Sequence, residues 1–500
     1  MDIPFVLDLR QMRNDAESGR VSVERLLDII ERQRQTIQRL QAEHQRLTAR
    51  LAQYEPAAAG EAKTAAGDTA SNASYSVDAE NKRRRRRRKR RQKSPGRQPT
   101  EVKFAEADYC QNIYPEGVAK SVCELVRERA VWRIEEGKAV RVGYRIFAGP
   151  DGQEPRIPGV TPRCEYGIEI LVVLAFLVYL IGISLDKACA VLRFFCQLPL
   201  EKSQADALLR QLAHHWEGEF ELLCDLLAEA AVVYMDETGW KIGNEACSLW
   251  AFASKLQRVF VFGCRKDAAT LDTLLPPDKF KGIGVSDNAS VYQDRFQQGQ
   301  KCWAHLLRKA IRLALLHPEQ ERYQRFLDKL LELYAAAKRA AADGRLGEAG
   351  RQQRVAELEK RLARLAEPHL ELSEPTTTLA AHENDFVNLV HELVRLARAE
   401  ELFTFVLQPA VEATNNLMER ELRNPALDRK AGRTNKTSKG ARRRSVIVSV
   451  LHSLRVNLAN FSLQTVLEEV TRWMKEGISL FAEQWQAAQA AKPPPQPASG

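Results

Sequence analysis

The sequence predicts a mixed α/β protein, because β-rich and helix-rich segments alternate through the middle of the chain. After Ala230 come three β-rich segments with short connections, AAVVYMD, SLWAFAS and RVFVFGC, which is typical of an antiparallel meander. They are followed by the helix-like DAATLDTLL, the apolar FKGIGVSD, and QKCWAHLLRKAIRLAL, a short strand that runs into a helix. The order β-β-β-α-β-α-β-α is that of a ribonuclease H-like domain, in which helices cover the faces of a mixed sheet.

Length and composition indicate a multidomain globular protein with an anionic partner. A chain of 500 residues exceeds one ordinary domain, and 44% hydrophobic with 28% charged residues provides a core. The net charge of +10 favours nucleic acid. The nine cysteines contain no CxxC pair, which argues against structural zinc and favours reduced thiols in a cytoplasmic protein. The longest apolar run, Ile170–Ile183, is shorter than the roughly 18 residues that span a bilayer, so no membrane partner is expected.

Residues 1–55 are predicted to contain a coiled coil. Apolar positions recur every seven residues from Val23 to Leu51, and a second series follows three residues behind, from Leu26 to Tyr54. This a/d pattern favours homo-oligomer formation, with Gln33 and His44 interrupting the apolar series. The alternative is a single amphipathic helix that packs on the rest of the protein.

Residues 56–100 are predicted to be a flexible linker followed by a basic arm. The linker is rich in Ala, Gly, Ser, Thr and Asp, and Lys82–Lys93 then contains eleven basic residues. Without these eleven the chain is near neutral, so the positive charge is local. We expect the arm to contact DNA phosphates, although a solvated tail or a localisation-like signal has the same composition. The candidate DNA-binding residues of the arm are Arg83, Arg84, Arg85, Arg86, Arg87 and Arg88.

The remaining chain is divided by its composition into five segments. Residues 101–230 are predicted to be a mainly helical DNA-binding region, and 231–317 the first part of the ribonuclease H-like core. Residues 318–412 form a predicted helical insertion. The last part of the core, with a third acid, is expected at 413–475, before a C-terminal tail at 476–500.

Three acidic residues are candidate metal ligands. Asp236 follows the apolar segment AAVVYM and Asp287 follows GIGVS, so both are expected at strand ends, where the sheet fixes a carboxylate that solvent still reaches. Glu419, in TNNLMERELR, is the expected helical partner, with Asn415 as the predicted N-cap. Three carboxylates suit two Mg²⁺ or Mn²⁺ ions, which can promote in-line phosphoryl transfer.

Each of these acids also has an ordinary structural interpretation. An aspartate at a strand end is commonly a turn former, and Glu419 with Arg423 has the spacing of a surface ion pair. Glu237 and Glu421 are neighbouring rivals. Alternation along a strand turns Glu237 away from Asp236, and Glu421 lies about 200° around the helix from Glu419.

A resemblance to a known family favours the catalytic interpretation. The stretches YMDETGWKI, FKGIGVSDNASVY, QKCWAHLLRKA and TNNLMERELRNPALDRKAG, followed by SKGARRRSVIVSVLHSLR, resemble transposases of the bacterial insertion-sequence 66 family. The resemblance covers roughly residues 80–470 and implies a DDE-type enzyme with an interrupted ribonuclease H-like domain. It implies that Asp236, Asp287 and Glu419 are the first, second and third catalytic acids and metal ligands.

The same resemblance implies supporting roles for further residues. Cys302 and His305 are similar to a Cys-x-x-His pair that braces the site or contacts the DNA end; a structural histidine is the alternative for His305. In the C-terminal motif, the resemblance implies that Asn415 and Asn416 support the site. It also implies that DNA is bound by Arg420, Arg423, Arg429 and Lys430.

Basic residues continue beyond that motif, while another family feature is absent from its expected place. DRKAGRTNKTSKGARRR contains eight basic residues, which are expected to bind backbone phosphates near the site. Many family members carry a cysteine-rich zinc module after the basic linker. The spacing of Cys110, Cys123 and Cys164 differs from it, so we predict that the module is lost or degenerate and that the arginine run partly replaces its DNA contacts.

Together these observations predict a DNA transposase that cleaves transposon ends and transfers strands as an oligomer, in the cytoplasm and associated with the nucleoid. Whether accessory proteins encoded by the same element take part is left open. One alternative is a catalytically silent or domesticated DNA-binding regulator on the same fold. Another is a ribonuclease H-like nuclease that acts on RNA or hybrids.

Overall fold

The computed structural model describes residues 98–370 and 380–491, together with the single positions 35 and 42. The chain divides into two compact units, Met1–Gly96 and Arg97–Gly500. The predicted coiled coil, the linker and the basic arm with Arg83–Arg88 therefore lie outside the described residues, apart from those two positions. All the elements below belong to the second unit.

The second unit begins with a small sheet. Helix α1 (Thr100–Ala105) precedes strands β1 (Tyr109–Ile113), β2 (Glu124–Glu135) and β3 (Lys138–Ala148), which pair in the order β1-β3-β2. Strands β2 and β3 form an antiparallel hairpin. Its two turn residues have positive φ values of 51° and 80°, as a type I′ turn requires. The prediction that residues 101–230 are mainly helical is therefore wrong for 109–148, because apolar and polar residues alternate along β2 and β3 and favour a hairpin.

Four helices complete the region predicted to be helical. They are α2 (Ile168–Ala175), α3 (Leu185–Cys196), α4 (Lys202–His215) and α5 (Glu217–Ala228). A single π turn, Phe176–Leu180, extends α2. The chain then turns at Gly182, where φ is +75° and an added Cβ would come within 2.9 Å of an Asp428 carboxylate oxygen. Glycine is therefore required at this break, both for its backbone conformation and for the close approach of Asp428.

A five-stranded sheet forms the centre of the second unit. Its strands are β4 (Val232–Ile242), β5 (Glu245–Ala253), β6 (Arg258–Cys264), β7 (Ile283–Ser286) and β8 (Gln298–Lys301), in the order β6-β5-β4-β7-β8. Strands β4, β5 and β6 form an antiparallel meander, whereas β7 and β8 add in parallel beside β4. The predicted meander and the mixed α/β class are confirmed. Between β7 and β8 the chain forms only the 3₁₀ turn Ser290–Tyr292 instead of the expected helix.

Ten further elements in the described ranges are α-helices. Helix α6 (Ala268–Leu274) joins β6 to β7, and α7 (Trp303–Leu316) follows β8 directly. The segment predicted as an insertion contains α8 (Glu321–Ala342), α9 (Glu348–Leu370), α10 (Ala381–Arg398) and α11 (Thr404–Leu407). The chain continues through α12 (Asn416–Lys430), α13 (Ser438–Asn457), α14 (Leu463–Glu476) and α15 (Leu480–Ala490). Within the described ranges, no helix is both long and apolar enough to cross a membrane.

Helix α13 covers the edge of the five-stranded sheet that β6 forms. The backbone N–H groups of edge-strand residues Phe262 and Phe260 donate to the hydroxyls of Ser445 (3.0 Å) and Ser449 (2.8 Å). The N–H of Arg258 donates to the Ser453 hydroxyl at 2.9 Å in the same way. These buried serines accept hydrogen bonds from backbone N–H groups of β6 and fix the position of α13 along the strand. Without such a cover, an exposed strand edge can pair with another chain.

Candidate active site

Asp236 and Asp287 lie at the same level of two adjacent parallel strands. The register of β4 and β7 runs from Val232 opposite Ile283 to Tyr234 opposite Val285, and each aspartate stands two residues beyond the last pair. Asp287 directly follows β7, as predicted. The expectation that Asp236 also ends its strand is wrong, because β4 continues to Ile242 through its pairing with β5. The pairing of β4 with β7 ends before this level, at Tyr234 and Val285, so at Asp236 the edge of β4 is no longer paired with β7.

The two aspartates interact electrostatically. Burial, followed by the negative charges of Glu237 and Asp287, raises the pKa of Asp236 to about 7. One Asp236 oxygen accepts the Glu237 N–H at 2.8 Å, and an Asp287 oxygen accepts the Ala289 N–H at 2.9 Å. Neither carboxylate forms an ion pair with lysine or arginine among the described residues. The nearby charges of His305 and Lys266 offset their negative charge only in part.

Glu419 lies in the first turn of α12 and is compensated. The guanidinium of Arg308, from α7, donates to both of its oxygens, at 2.7 and 2.8 Å. This pair holds the pKa of Glu419 below its ordinary value. His305 connects the two halves of the site. Its Nε2 lies 3.9 Å from a Glu419 oxygen, and its charge also lowers the pKa of Asp236.

Asn415 and Cys302 attach α12 to the sheet. The Asn415 N–H donates to Cys302 Sγ at 3.1 Å, and its side-chain amide donates to the carbonyl of Met235 at 2.8 Å. Asn415 thus occupies the predicted N-cap position, but its side chain binds β4 instead of the helix N-terminus. Because Met235 immediately precedes Asp236, this buried asparagine joins the helix of the third acid to the strand of the first.

The Cys302 and His305 side chains are coupled. Burial opposes ionisation of the thiol, but the neighbouring His305 and the Asn415 backbone N–H outweigh it, so the pKa of Cys302 lies below its ordinary value. The neighbouring Cys302 in turn raises the pKa of His305, against the effect of burial. The Cys302 N–H also donates to the Ser286 carbonyl at 2.9 Å. The pair therefore links the residue before Asp287 to the start of α7.

The two rival glutamates have other partners. Glu237 is buried and pairs with Lys266 and the Tyr292 hydroxyl. Glu421 accepts hydrogen bonds from Arg258 at 3.2 Å and His452 at 3.0 Å. Although burial favours its protonation, these partners lower the pKa of Glu421 to about 2. Glu421 is therefore part of a buried ion-pair network, separate from the Arg308 pair of Glu419.

The donor set suits a hard divalent cation, although Glu419 is already engaged. Carboxylate oxygens are the ligands that magnesium and manganese prefer, and a cation beside Asp236 and Asp287 would relieve the repulsion that raises the pKa of Asp236. Within residues 98–370 and 380–491, no group of three or more His, Cys, Asp or Glu side chains is arranged to hold a metal. At Glu419, Arg308 occupies both oxygens.

The predicted DNA-binding residues divide into exposed and engaged groups. Arg420, Arg423 and Lys430 are exposed on α12, and Asn416 is exposed at its first position. Arg429 instead donates to Thr238 Oγ1 at 3.0 Å and to the Gly239 carbonyl. In the basic segment that follows, four of the eight cations form ion pairs within the protein: Arg433 and Arg444 with Asp428, Arg443 with Asp206, and Arg442 with Glu217. These four contribute to folding as well as to charge.

Two contacts near the acids had no distinct signal in the sequence. One is the Arg308–Glu419 pair, since Arg308 is one of several basic residues in QKCWAHLLRKAIRLAL. The other involves Asn288, which donates to Glu392 at 2.5 Å and accepts from Arg395 at 2.7 Å. Glu392 also pairs with Lys309 at 2.6 Å. Helix α10 of the predicted insertion thus holds the residue that follows Asp287.

Comparison with known proteins identifies the family of this chain. A family model described as Transposase IS66 family matches residues 163–443, which is more than half of the chain. The chain belongs to this transposase family. The match extends from the helical region through both aspartates and Glu419 to the start of α13, so the sequence resemblance is confirmed and the protein has a transposase role. None of the curated proteins compared with the chain matches it.

Proposed function

We propose that this family member is an active DNA transposase that cleaves transposon ends and joins them to target DNA by two-metal-ion phosphoryl transfer. The observation that carries the proposal is the pair Asp236 and Asp287 on adjacent parallel strands, without a direct ion pair to lysine or arginine in the described ranges and with His305 between them and Glu419. Two Mg²⁺ or Mn²⁺ ions, when bound, would stabilise the attacking and leaving oxygens of an in-line displacement.

The sheet topology supports a ribonuclease H-like catalytic domain. An antiparallel meander followed by two parallel strands on the other side of β4 is the arrangement that the sequence pattern predicts. It brings the first strand of the domain beside the fourth, so acids distant in sequence become neighbours. The helices between residues 321 and 407 would then be the insertion that precedes the third acid.

The residues of the site have distinct roles in this proposal. Asp236, Asp287 and Glu419 hold the metals, and Asn415 with Cys302 keeps α12 in register with β4. Because these contacts are made before substrate arrives, little reorganisation is needed when DNA binds. The exposed Arg420, Arg423 and Lys430 would bind backbone phosphates beside the acids.

The remaining roles extend this proposal to the whole chain. Arg83–Arg88 and residues 101–230 would add DNA contacts, and the predicted coiled coil would join copies of the chain. Association with the nucleoid would follow from DNA binding.

The test is end cleavage by purified protein, with a labelled duplex of the transposon's own terminal sequence and Mg²⁺ or Mn²⁺. We expect nicking by the wild type and a loss of at least about a thousandfold in Asp236→Asn, Asp287→Asn and Glu419→Gln, because metal-ion stabilisation contributes several kcal/mol. Glu245→Gln is the matched control, since this exposed acid lies in the same sheet at the β4–β5 turn.

Three outcomes would contradict the proposal. Equal inactivity of the wild type and all variants, with unchanged binding of the duplex, would favour the silent DNA-binding regulator. Equal cleavage by the wild type and the three variants would show that other residues perform the reaction. Cleavage of RNA or hybrid duplexes in preference to DNA would favour the nuclease alternative.

A further inference from the structure

We propose that Arg308 is a phosphate-responsive latch on Glu419. Without DNA, its guanidinium occupies both carboxylate oxygens, and a backbone phosphate of bound DNA takes the place of the carboxylate. Glu419 then becomes available to a metal ion only when substrate is present. This inference rests on the proposed function and adds to it the order in which DNA and metal complete the site.

The geometry of the pair is the first support. Two hydrogen bonds of 2.7 and 2.8 Å join the Arg308 guanidinium to Oε1 and Oε2 of Glu419, which is the bidentate arrangement that arginine forms with carboxylates. The guanidinium therefore uses the lone pairs with which the two carboxylate oxygens would together bind a cation. The third acid is therefore in the site but not free to bind a metal.

The exposure of Arg308 is the second support. Its side chain is 54% exposed, and that of Glu419 is 32% exposed, so solvent and DNA can reach the pair. Exposed ion pairs contribute about 1 kcal/mol or less, which means that a competing anion can displace the carboxylate. A phosphate diester offers the same two-oxygen geometry to a guanidinium, so exchange costs Arg308 no hydrogen bond.

The surroundings favour a phosphate as the competing anion. Arg308 is followed, one turn later, by the exposed Arg312 on the same helix. Arg420 and Arg423 are exposed on α12, beside Glu419. A DNA backbone held by these cations would bring phosphates to Arg308. When Glu419 is released, its negative charge would add to those of Asp236 and Asp287 and strengthen their attraction for a divalent cation.

The experiment measures Mn²⁺ binding by electron paramagnetic resonance, with and without the terminal duplex, in the full-length protein. The signal of the site is the part that disappears in Asp287→Asn. For the wild type we expect affinity to rise about tenfold when the duplex is added. In Arg308→Ala the affinity without DNA should already be about fivefold higher than in the wild type, which is the factor that corresponds to an exposed ion pair.

Two further variants separate the latch from a general effect of charge. Arg312→Ala removes an exposed arginine from the same helix without touching Glu419, and we expect its Mn²⁺ affinity to equal that of the wild type. Arg308→Lys keeps the charge but loses the two-pronged geometry, so an intermediate affinity is expected. Thermal unfolding of each variant shows whether its fold is intact.

DNA binding provides an independent measurement. If Arg308 binds a phosphate, Arg308→Ala should lower the slope of log affinity against log salt by about one. An unchanged slope, or Mn²⁺ affinity in Arg308→Ala equal to that of the wild type without DNA, would overturn the latch and leave the proposed function intact. Absence of any Mn²⁺ signal that depends on Asp287, with DNA present, would overturn both.

Discussion

The strand side and the helix side of the site hold their carboxylates differently. Asp236 and Asp287 are fixed by adjacent strands, and neither pairs with lysine or arginine in the part of the chain that the structure describes. Glu419 is carried by the first turn of α12 and is neutralised by Arg308. In the proposed function, a bound cation would relieve the repulsion between the two aspartates of the sheet. The acid on the helix would become available to the cation only when Arg308 releases it.

The helix side contains one acid in a buried ion-pair network, Glu421, and one in an exposed ion pair, Glu419. Replacing each in turn should give the largest difference in stability. Glu421→Gln leaves the buried Arg258 without its charged partner, so we expect the free energy of unfolding to fall by about 3 to 5 kcal/mol. Glu419→Gln breaks an exposed pair and should cost less than about 1 kcal/mol. Urea denaturation of both variants measures the contrast. Equal losses would mean that Glu419 is structural in the same sense as Glu421.

On the strand side, the burial of Asp236 and its repulsion by Glu237 and Asp287 should appear as a pH-dependent loss of stability. Its pKa is about 7 in the folded protein against an ordinary 3.8, so the folded state binds more protons than the unfolded state between these values. Wild-type stability therefore falls as pH rises from about 4 to 7 and stays lower above 7. Asp236→Asn removes this loss. We expect the stability of the variant relative to the wild type to rise by about 4 kcal/mol from pH 4 to pH 8.

The measurement is chemical denaturation at a series of pH values with a chelator present. The same series with saturating Mg²⁺ serves as the control, since a bound cation should reduce the gain. A stability difference that does not change with pH would contradict the assigned environment of Asp236.

The junction between the two sides depends on Asn415. Asn415→Ala removes the hydrogen bond to the Met235 carbonyl and leaves that buried acceptor unpaired, so we expect a loss of about 1 to 2 kcal/mol in unfolding free energy. The neighbouring Asn416→Ala, at an exposed position, should cost less than about 0.5 kcal/mol. Guanidinium denaturation compares them. Similar losses from both would show that Asn415 does not join α12 to β4.

The smallest expected effect concerns the link between Asp287 and the helices of the insertion. Asn288 and Glu392 are joined by a hydrogen bond of 2.5 Å, and residues in direct contact usually show a coupling energy of about 0.5 to 1 kcal/mol. A double-mutant cycle of Asn288→Ala and Glu392→Gln, followed by urea denaturation, measures it. Additive effects would mean that α10 does not support the segment after β7.

Local patterns predict the meander of the central sheet, strand β7 and the position of Asp287 directly after it. Apolar runs separated by short polar connections marked β4, β5, β6 and β7, because a buried strand must carry such a run. The same signals do not show where a strand continues past a charged residue, and so they place the end of β4 at Asp236 instead of Ile242. They also do not reveal the strands at 109–148, whose exposed faces are rich in charge.

Other features depend on which distant residues meet, and no local pattern contains that information. Ser445, Ser449 and Ser453 recur every four residues, which marks one face of a helix but not the strand edge that they satisfy. The basic residues from Arg429 to Arg444 suggested a continuous DNA-binding surface. Asp206, Glu217 and Asp428 neutralise four of them.

The sequence by itself determined the family, the mixed α/β class and the three candidate acids, since these follow from motifs and from local alternation of apolar and polar residues. Only the tertiary structure decided how each acid is compensated. Whether a carboxylate stands beside Arg308, beside Arg258 and His452, or beside a second aspartate depends on contacts between elements far apart in the chain. Electrostatic energy varies with distance and burial, so residues of the same type acquire different roles when the fold brings different charges to them.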